Sequence, residues 1–171
     1  MKKLSLSHEI HCSADHFWKV FFDKDFNTTL YRNELGFPKF EILEQREENG
    51  IIVYRKTRGT PRADAPGAVK KLLGDGFGYD EEGHLEVSKQ LWTFKLKMNT
   101  LADKLRTEGW VRCESLGADR CRRLMGMEFE AKLFGVGGLV EAFSEGEMKK
   151  GWDASAAYMN RWIKEHPPQA T

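Results

Sequence analysis

Two arginines and a histidine interrupt the apolar faces of alternating segments, and they are the side chains of this sequence best placed to do chemistry. Arg123 is in phase with Met125, Met127 and Phe129, so strand alternation turns it inward with them. A buried guanidinium has to be paired or hydrogen-bonded. Arg123 therefore either holds the carboxylate or phosphate of a ligand or, as a strand-end arginine, reaches solvent. Arg55 shares its phase with Ile51 and Val53, while its neighbour Tyr54 is equally able to point inward. His8 is in phase with Leu4, Leu6 and Ile10. It is read as a satisfied core or rim histidine, with proton exchange near neutrality as the alternative.

The remaining candidates carry less. His11, His16 and His84 have no spacing with Cys or carboxylates that makes a metal set. Cys12, Cys113 and Cys121 are odd in number, and nothing in the sequence places a base beside any of them. Glu147 is a candidate acid only if its face of the last helix meets the sheet. No P-loop, dinucleotide fingerprint or nucleophile elbow is present. No catalytic residue, metal ligand or cofactor is assigned.

The elements that must position these side chains follow from period and punctuation. Leu4 to Ile10 alternate as a half-buried strand, and Ser13 caps a helix carrying Phe17, Trp18, Val20, Phe21 and Phe22. A second short helix is expected over Phe26 to Asn33. Asn49-Gly50 is a strong hairpin signal between strands expected at Phe40 to Gln45 and Ile51 to Arg58. The stretch from Gly59 to Asp80 is irregular, with a short helix at Ala68 to Leu73, and an excursion of roughly 20 residues is either functional or a solvent-facing connection. Further strands are expected at His84 to Ser88, Trp92 to Met98, Arg106 to Glu114 and Cys121 to Glu130. The segment Phe134 to Ile163 then carries apolar residues at helical spacing, including Val140, Phe143, Trp152, Ala156 and Met159.

Composition bounds the function. The 171 residues suit one domain, and 40% hydrophobic with 12% aromatic residues supply a core. The formal charge of +1 gives no global field to recruit nucleic acid or an anionic bilayer. Met1-Lys2-Lys3 is not followed by an apolar run of signal-peptide type, and no segment approaches the length of a membrane span. The expectation is a cytoplasmic protein with reduced thiols.

A strand, two short helices, a meander and one long helix make an α+β fold. The expected form is a curved antiparallel sheet of six to seven strands wrapped around a long C-terminal helix, with two short helices after strand one. A helix of roughly 25 to 30 residues is about 40 Å long; a sheet bending away from one end of it leaves a gap between facing side chains. Leu6 to His11, the opening Ser13-Ala14-Asp15-His16-Phe17-Trp18, the Asn49-Gly50 hairpin and the closing helix Gly137 to Ile163 resemble the START-like superfamily, the helix-grip or Bet v 1-like, polyketide cyclase-like fold, and especially its small uncharacterised members. Pro66 to Gly74 also resembles, more weakly, the lid of PRELI-type lipid-transfer proteins. The resemblance implies a single START-like domain over residues 1–166 that binds or transports a lipid or other small hydrophobic ligand without catalysis. Its members also include cyclases and aromatases, so a cyclase-, aromatase- or hydrolase-type enzyme using the same cavity is one alternative; a protein-interaction domain with a filled core is another. The ligand would meet Tyr54, Arg55, Trp92, Phe94, Leu96, Met98, Arg123, Met125, Met127, Val140 and Phe143. Ala63 to Tyr79 and the turn Phe134 to Gly138 would gate access, and the rim at Phe134 would touch a bilayer transiently. No nucleic-acid partner is expected.

Overall fold

The computed structural model describes residues 1–62 and 64–169. One curved sheet holds seven strands: β1 (Lys2–Ile10), β2 (Lys39–Glu48), β3 (Ile51–Thr60), β4 (Tyr79–Glu86), β5 (Leu91–Met98), β6 (Leu105–Ser115) and β7 (Cys121–Ala131). They are ordered β1-β7-β6-β5-β4-β3-β2, and every neighbouring pair is antiparallel. Four α-helices accompany them among the described residues: α1 (Ala14–Phe22), α2 (Lys24–Thr29), α3 (Gly67–Leu73) and α4 (Gly137–Glu165). The expected helix-grip arrangement is the one observed.

Local chemistry accounts for the joints. Ser13 Oγ accepts the His16 N–H at 3.2 Å and starts α1; Asp23 Oδ1 accepts the Phe26 N–H at 2.7 Å and starts α2. Asn49 and Gly50 take φ of +50° and +78°, the left-handed pair that a tight two-residue hairpin needs between β2 and β3. Three elements differ from expectation. The second helix stops at Thr29 and continues as one π-helical turn, Leu30–Glu34. β2 runs on to Glu48 through register shifts at Ile42/Glu44 and Arg46/Glu47, where its acidic run hides the alternation. β4 spans Tyr79–Glu86 rather than His84 to Ser88, because its inward face carries Glu81 and Gly83, two residues that do not read as apolar.

The core forms where the concave face meets the helices. Phe17, Trp18, Phe21 and Phe22 of α1 plug one end, with the Phe22 ring 5.1 Å and the Phe21 ring 6.1 Å from that of Trp92 on β5. Gly83 is required beneath that indole: a Cβ there would collide with the Trp92 ring and come within 2.8 Å of the Thr93 carbonyl. The long α4 lies mainly on β1 and β7, burying Ser155, Ala156, Met159 and Ile163. The concave face over the middle strands is left partly uncovered.

Candidate functional site

That uncovered space is an internal cavity of about 370 Å³. β3 to β7 form its floor, α1, α2 and the π-turn one wall, and α4 from Phe143 to Met159 its roof. Of the residues expected to line it, Arg55, Trp92, Phe94, Leu96, Met98, Arg123, Met127 and Phe143 do so. Met125 and Val140 are buried but lie in packed core away from the lining. Tyr54 is on the opposite, convex face, where its hydroxyl donates to Glu82 at 2.9 Å and Arg46 stacks on its ring at 4.0 Å. The alternation of β3 was legible; Arg55 and Tyr54 competed for the inward phase, and Arg55 took it.

Arg55 anchors one polar pole of the cavity. It is 3% exposed. Its guanidinium donates to the Phe21 carbonyl at 2.9 Å, to Asn27 Oδ1 at 3.4 Å and to Glu81 Oε1 at 3.4 Å. The Phe21 carbonyl belongs to the last turn of α1, whose dipole favours a cation there. Asn27 is itself held by the Phe21 and Asp23 carbonyls at 2.9 and 2.6 Å. Burial pushes the Glu81 carboxyl up, and Arg55 offsets part of that rise. Burial also raises the Tyr31 and Tyr79 phenols, which border the same pole. Sequence reading missed Glu81, Asn27 and Tyr31 and met Tyr79 only as the end of an expected gate. Glu81 had a findable signal, being in phase with Leu85 two pairs along β4.

Arg123 anchors the other pole and does not reach solvent. It donates to Ser155 Oγ at 3.0 Å, to the Trp152 carbonyl at 2.7 Å and to His8 Nδ1 at 3.1 Å, and its charge sits 4.9 Å above the Trp152 ring. Arginine has no acceptor. His8 Nδ1 must therefore accept, and Nε2 carries the proton that goes to Asp153 Oδ1 at 2.8 Å. Burial lowers the His8 ring below its ordinary value, the Asp153 hydrogen bond opposes that, and Arg123 adds to it. Burial brings Arg123 down to about 10, so it stays charged at neutral pH. The β1–β7 register sets His8 directly opposite Arg123.

Other candidates lie elsewhere. Cys12, Cys113 and Cys121 are free, buried and mutually close, and none lines the cavity. Among the described residues, no group of three or more His, Cys, Asp or Glu side chains is placed to hold a metal ion. Glu147 lines the cavity from α4. Of the expected gate from Ala63 to Tyr79, Phe77 and Tyr79 border the cavity, joined by Pro61 and Arg62 just before it, whereas Ala63 lies outside the described residues. Phe134 is fully exposed and Leu139 is 44% exposed beside it. No helix among the described residues is long and apolar enough to cross a membrane.

The family model described as "Protein of unknown function (DUF2505)" matches residues 5–163. No curated protein matches the chain. Several solved structures share the fold. The Zhui aromatase/cyclase from Streptomyces sp. R1128 is 15% identical with a TM-score of 0.69, over 98% of this chain and 96% of that one. Norcoclaurine synthase from Thalictrum flavum, in complex with dopamine and hydroxybenzaldehyde, is 19% identical with a TM-score of 0.65, over 98% and 89%. A START superfamily protein from Mycobacterium smegmatis is 16% identical with a TM-score of 0.60, over 95% and 97%. At these identities the likeness is one of fold, which is START-like.

Proposed function

The chain belongs to the DUF2505 family, and we propose that it binds a lipid or other small hydrophobic ligand inside the cavity between its sheet and α4, as a carrier rather than a catalyst. The observation that carries this reading is the cavity itself: a space of about 370 Å³ walled mainly by Trp, Phe, Leu and Met side chains, with two polar poles. Sites for small ligands are commonly concave, apolar and furnished with a few placed polar groups, at roughly 300 to 1,000 Å³. The volume is at the low end of that range, which favours a single-chain or aromatic molecule over a two-chain phospholipid. Each methylene moved from water into such a site contributes roughly 0.8 kcal/mol. The reading takes residues 1–166 as one domain, with Pro61, Arg62 and Phe77 at its mouth.

Native mass spectrometry of protein purified from its own cells tests this. We expect a retained mass that organic extraction releases. Protein that emerges empty, and that takes up no apolar probe when titrated, is the result that would end the carrier reading.

A second reading has its own observation. Glu81, a carboxyl raised by burial, shares the Arg55 pole with the Tyr31 and Tyr79 phenols. A buried carboxyl beside phenols is equipped for proton transfer to a bound carbonyl compound. Incubating the extracted ligand with fresh protein and following its mass and isomer composition separates the two readings. Conversion that is lost in Glu81→Gln, with binding kept, would make the protein an enzyme.

A further inference from the structure

We propose that the ligand is an apolar carboxylate, and that its anion is held by Arg123. The inference rests on the cavity-binding reading and specifies the ligand's charge. Arg123 is 1% exposed, and every acceptor it has is neutral: a serine hydroxyl, a backbone carbonyl and a histidine nitrogen. Its Nε–H has no acceptor among the described residues, a lack it shares with Arg55. The nearby carboxylate, Asp153, turns one oxygen to His8 and the other to Lys149 at 2.7 Å, so its charge is already matched. Counting Arg123, Lys149 and Asp153 leaves one positive charge over, against the cavity.

Arg55 makes the contrast. It lies in the same cavity and is equally buried, but Glu81 balances it. Of the two guanidiniums, only Arg123 has no carboxylate within ion-pairing distance among the described residues, Asp153 acting on it from further off. Buried charges are ordinarily paired. The unmatched charge is a single one, which suits a carboxylate; a phosphate monoester brings about 1.5 to 2 negative charges at neutral pH.

The test compares matched probes on the full-length protein. Decanoate and decanol, and 2-naphthoate and 2-naphthalenemethanol, are titrated near neutral pH by isothermal titration calorimetry. We expect at least one acid to bind about tenfold or more tighter than its alcohol. The preference should vanish in Arg123→Met and survive in part in Arg123→Lys. Alcohols that bind as tightly as their acids would overturn the charge assignment while leaving the carrier reading standing. A preference unchanged in Arg123→Met would overturn the residue assignment. Failure of all four probes to bind wild-type protein would remove the carrier reading and this inference with it. The wild-type comparison stands alone if Arg123→Met does not fold.

Discussion

Arg55 and Arg123 are buried alike, and what surrounds each sets a different consequence for mutation. Arg55 and Glu81 form an ion pair at 3.4 Å. Removing one partner of a buried pair strands the other charge, at a typical cost of roughly 3 to 5 kcal/mol, whereas replacing both is much milder. We expect Arg55→Met to lose stability on that scale in urea unfolding, and Arg55→Met with Glu81→Met together to recover most of it; a double variant as unstable as the sum would refute the pairing. His8 gives a pH signature. Its ring is held below the ordinary 6.5, so the unfolded chain takes up the proton first as pH falls. Stability from the neutral ring is whole above about 6.5 and drains away as pH drops through the lower folded value. His16 is shifted the same way by burial. The melting temperature should therefore fall with acidification from neutral pH, and His8→Gln should flatten part of that slope. An unaltered slope in the variant would show that burial does not hold the His8 ring below its ordinary value.

Among the elements, β4 and α4 respond to the same kind of substitution in opposite ways. Gly83 on β4 lies under the Trp92 ring with no room for a methyl group. Overpacking of this sort costs about 1 to 3 kcal/mol, and Gly83→Ala should lower stability by that order and disturb the α1–Trp92 aromatic cluster seen in near-ultraviolet circular dichroism. Gly146 is an exposed residue inside α4, and nothing lies within 4 Å of the point a methyl carbon would occupy there. Alanine at that position should add roughly 0.5 to 1 kcal/mol by helix propensity. Destabilisation by both variants in chemical denaturation would mean that α4 is obstructed at that turn. α4 itself was legible from its apolar spacing, since three- and four-residue steps run from Met148 through Trp152, Ala156 and Met159 to Ile163. β4 was only half legible, because a strand that turns Glu81 and Gly83 inward breaks the alternation by which strands are recognised.

At the scale of the whole molecule, the cavity exists because α4 lies mainly on β1 and β7 while α1 closes the far end. Thr107 stands on the cavity floor, 7% exposed, and makes no side-chain hydrogen bond among the described residues. Thr107→Phe should occupy the space, abolish uptake of apolar probes and leave the folded state about as stable as before. Probe binding that persists at full affinity in a folded Thr107→Phe protein would place the binding site elsewhere. Another depression, about 810 Å³, opens across the convex face around Trp110 and His84, and its lining includes Lys3, Lys95, Arg106, Glu82, Glu108 and Glu128. That mixed charged surface suits solvent better than an apolar ligand.

The sequence alone determined the order of elements, the inward phase of β5 and β7, and thereby the inward direction of Arg123, because period-two alternation is a local property of the backbone. It left Arg55 and Tyr54 undecided, since an isolated strand has two faces and only the sheet's curvature tells which is concave. It could not pair Arg55 with Glu81, or Arg123 with His8, Ser155 and the Trp152 carbonyl. Those partners lie 26 to 115 residues apart in the chain, and only closure of the sheet against α4 brings them together. The cavity was the least legible feature of all, because a void is set by how far two packed surfaces stand apart, and no single residue encodes that distance.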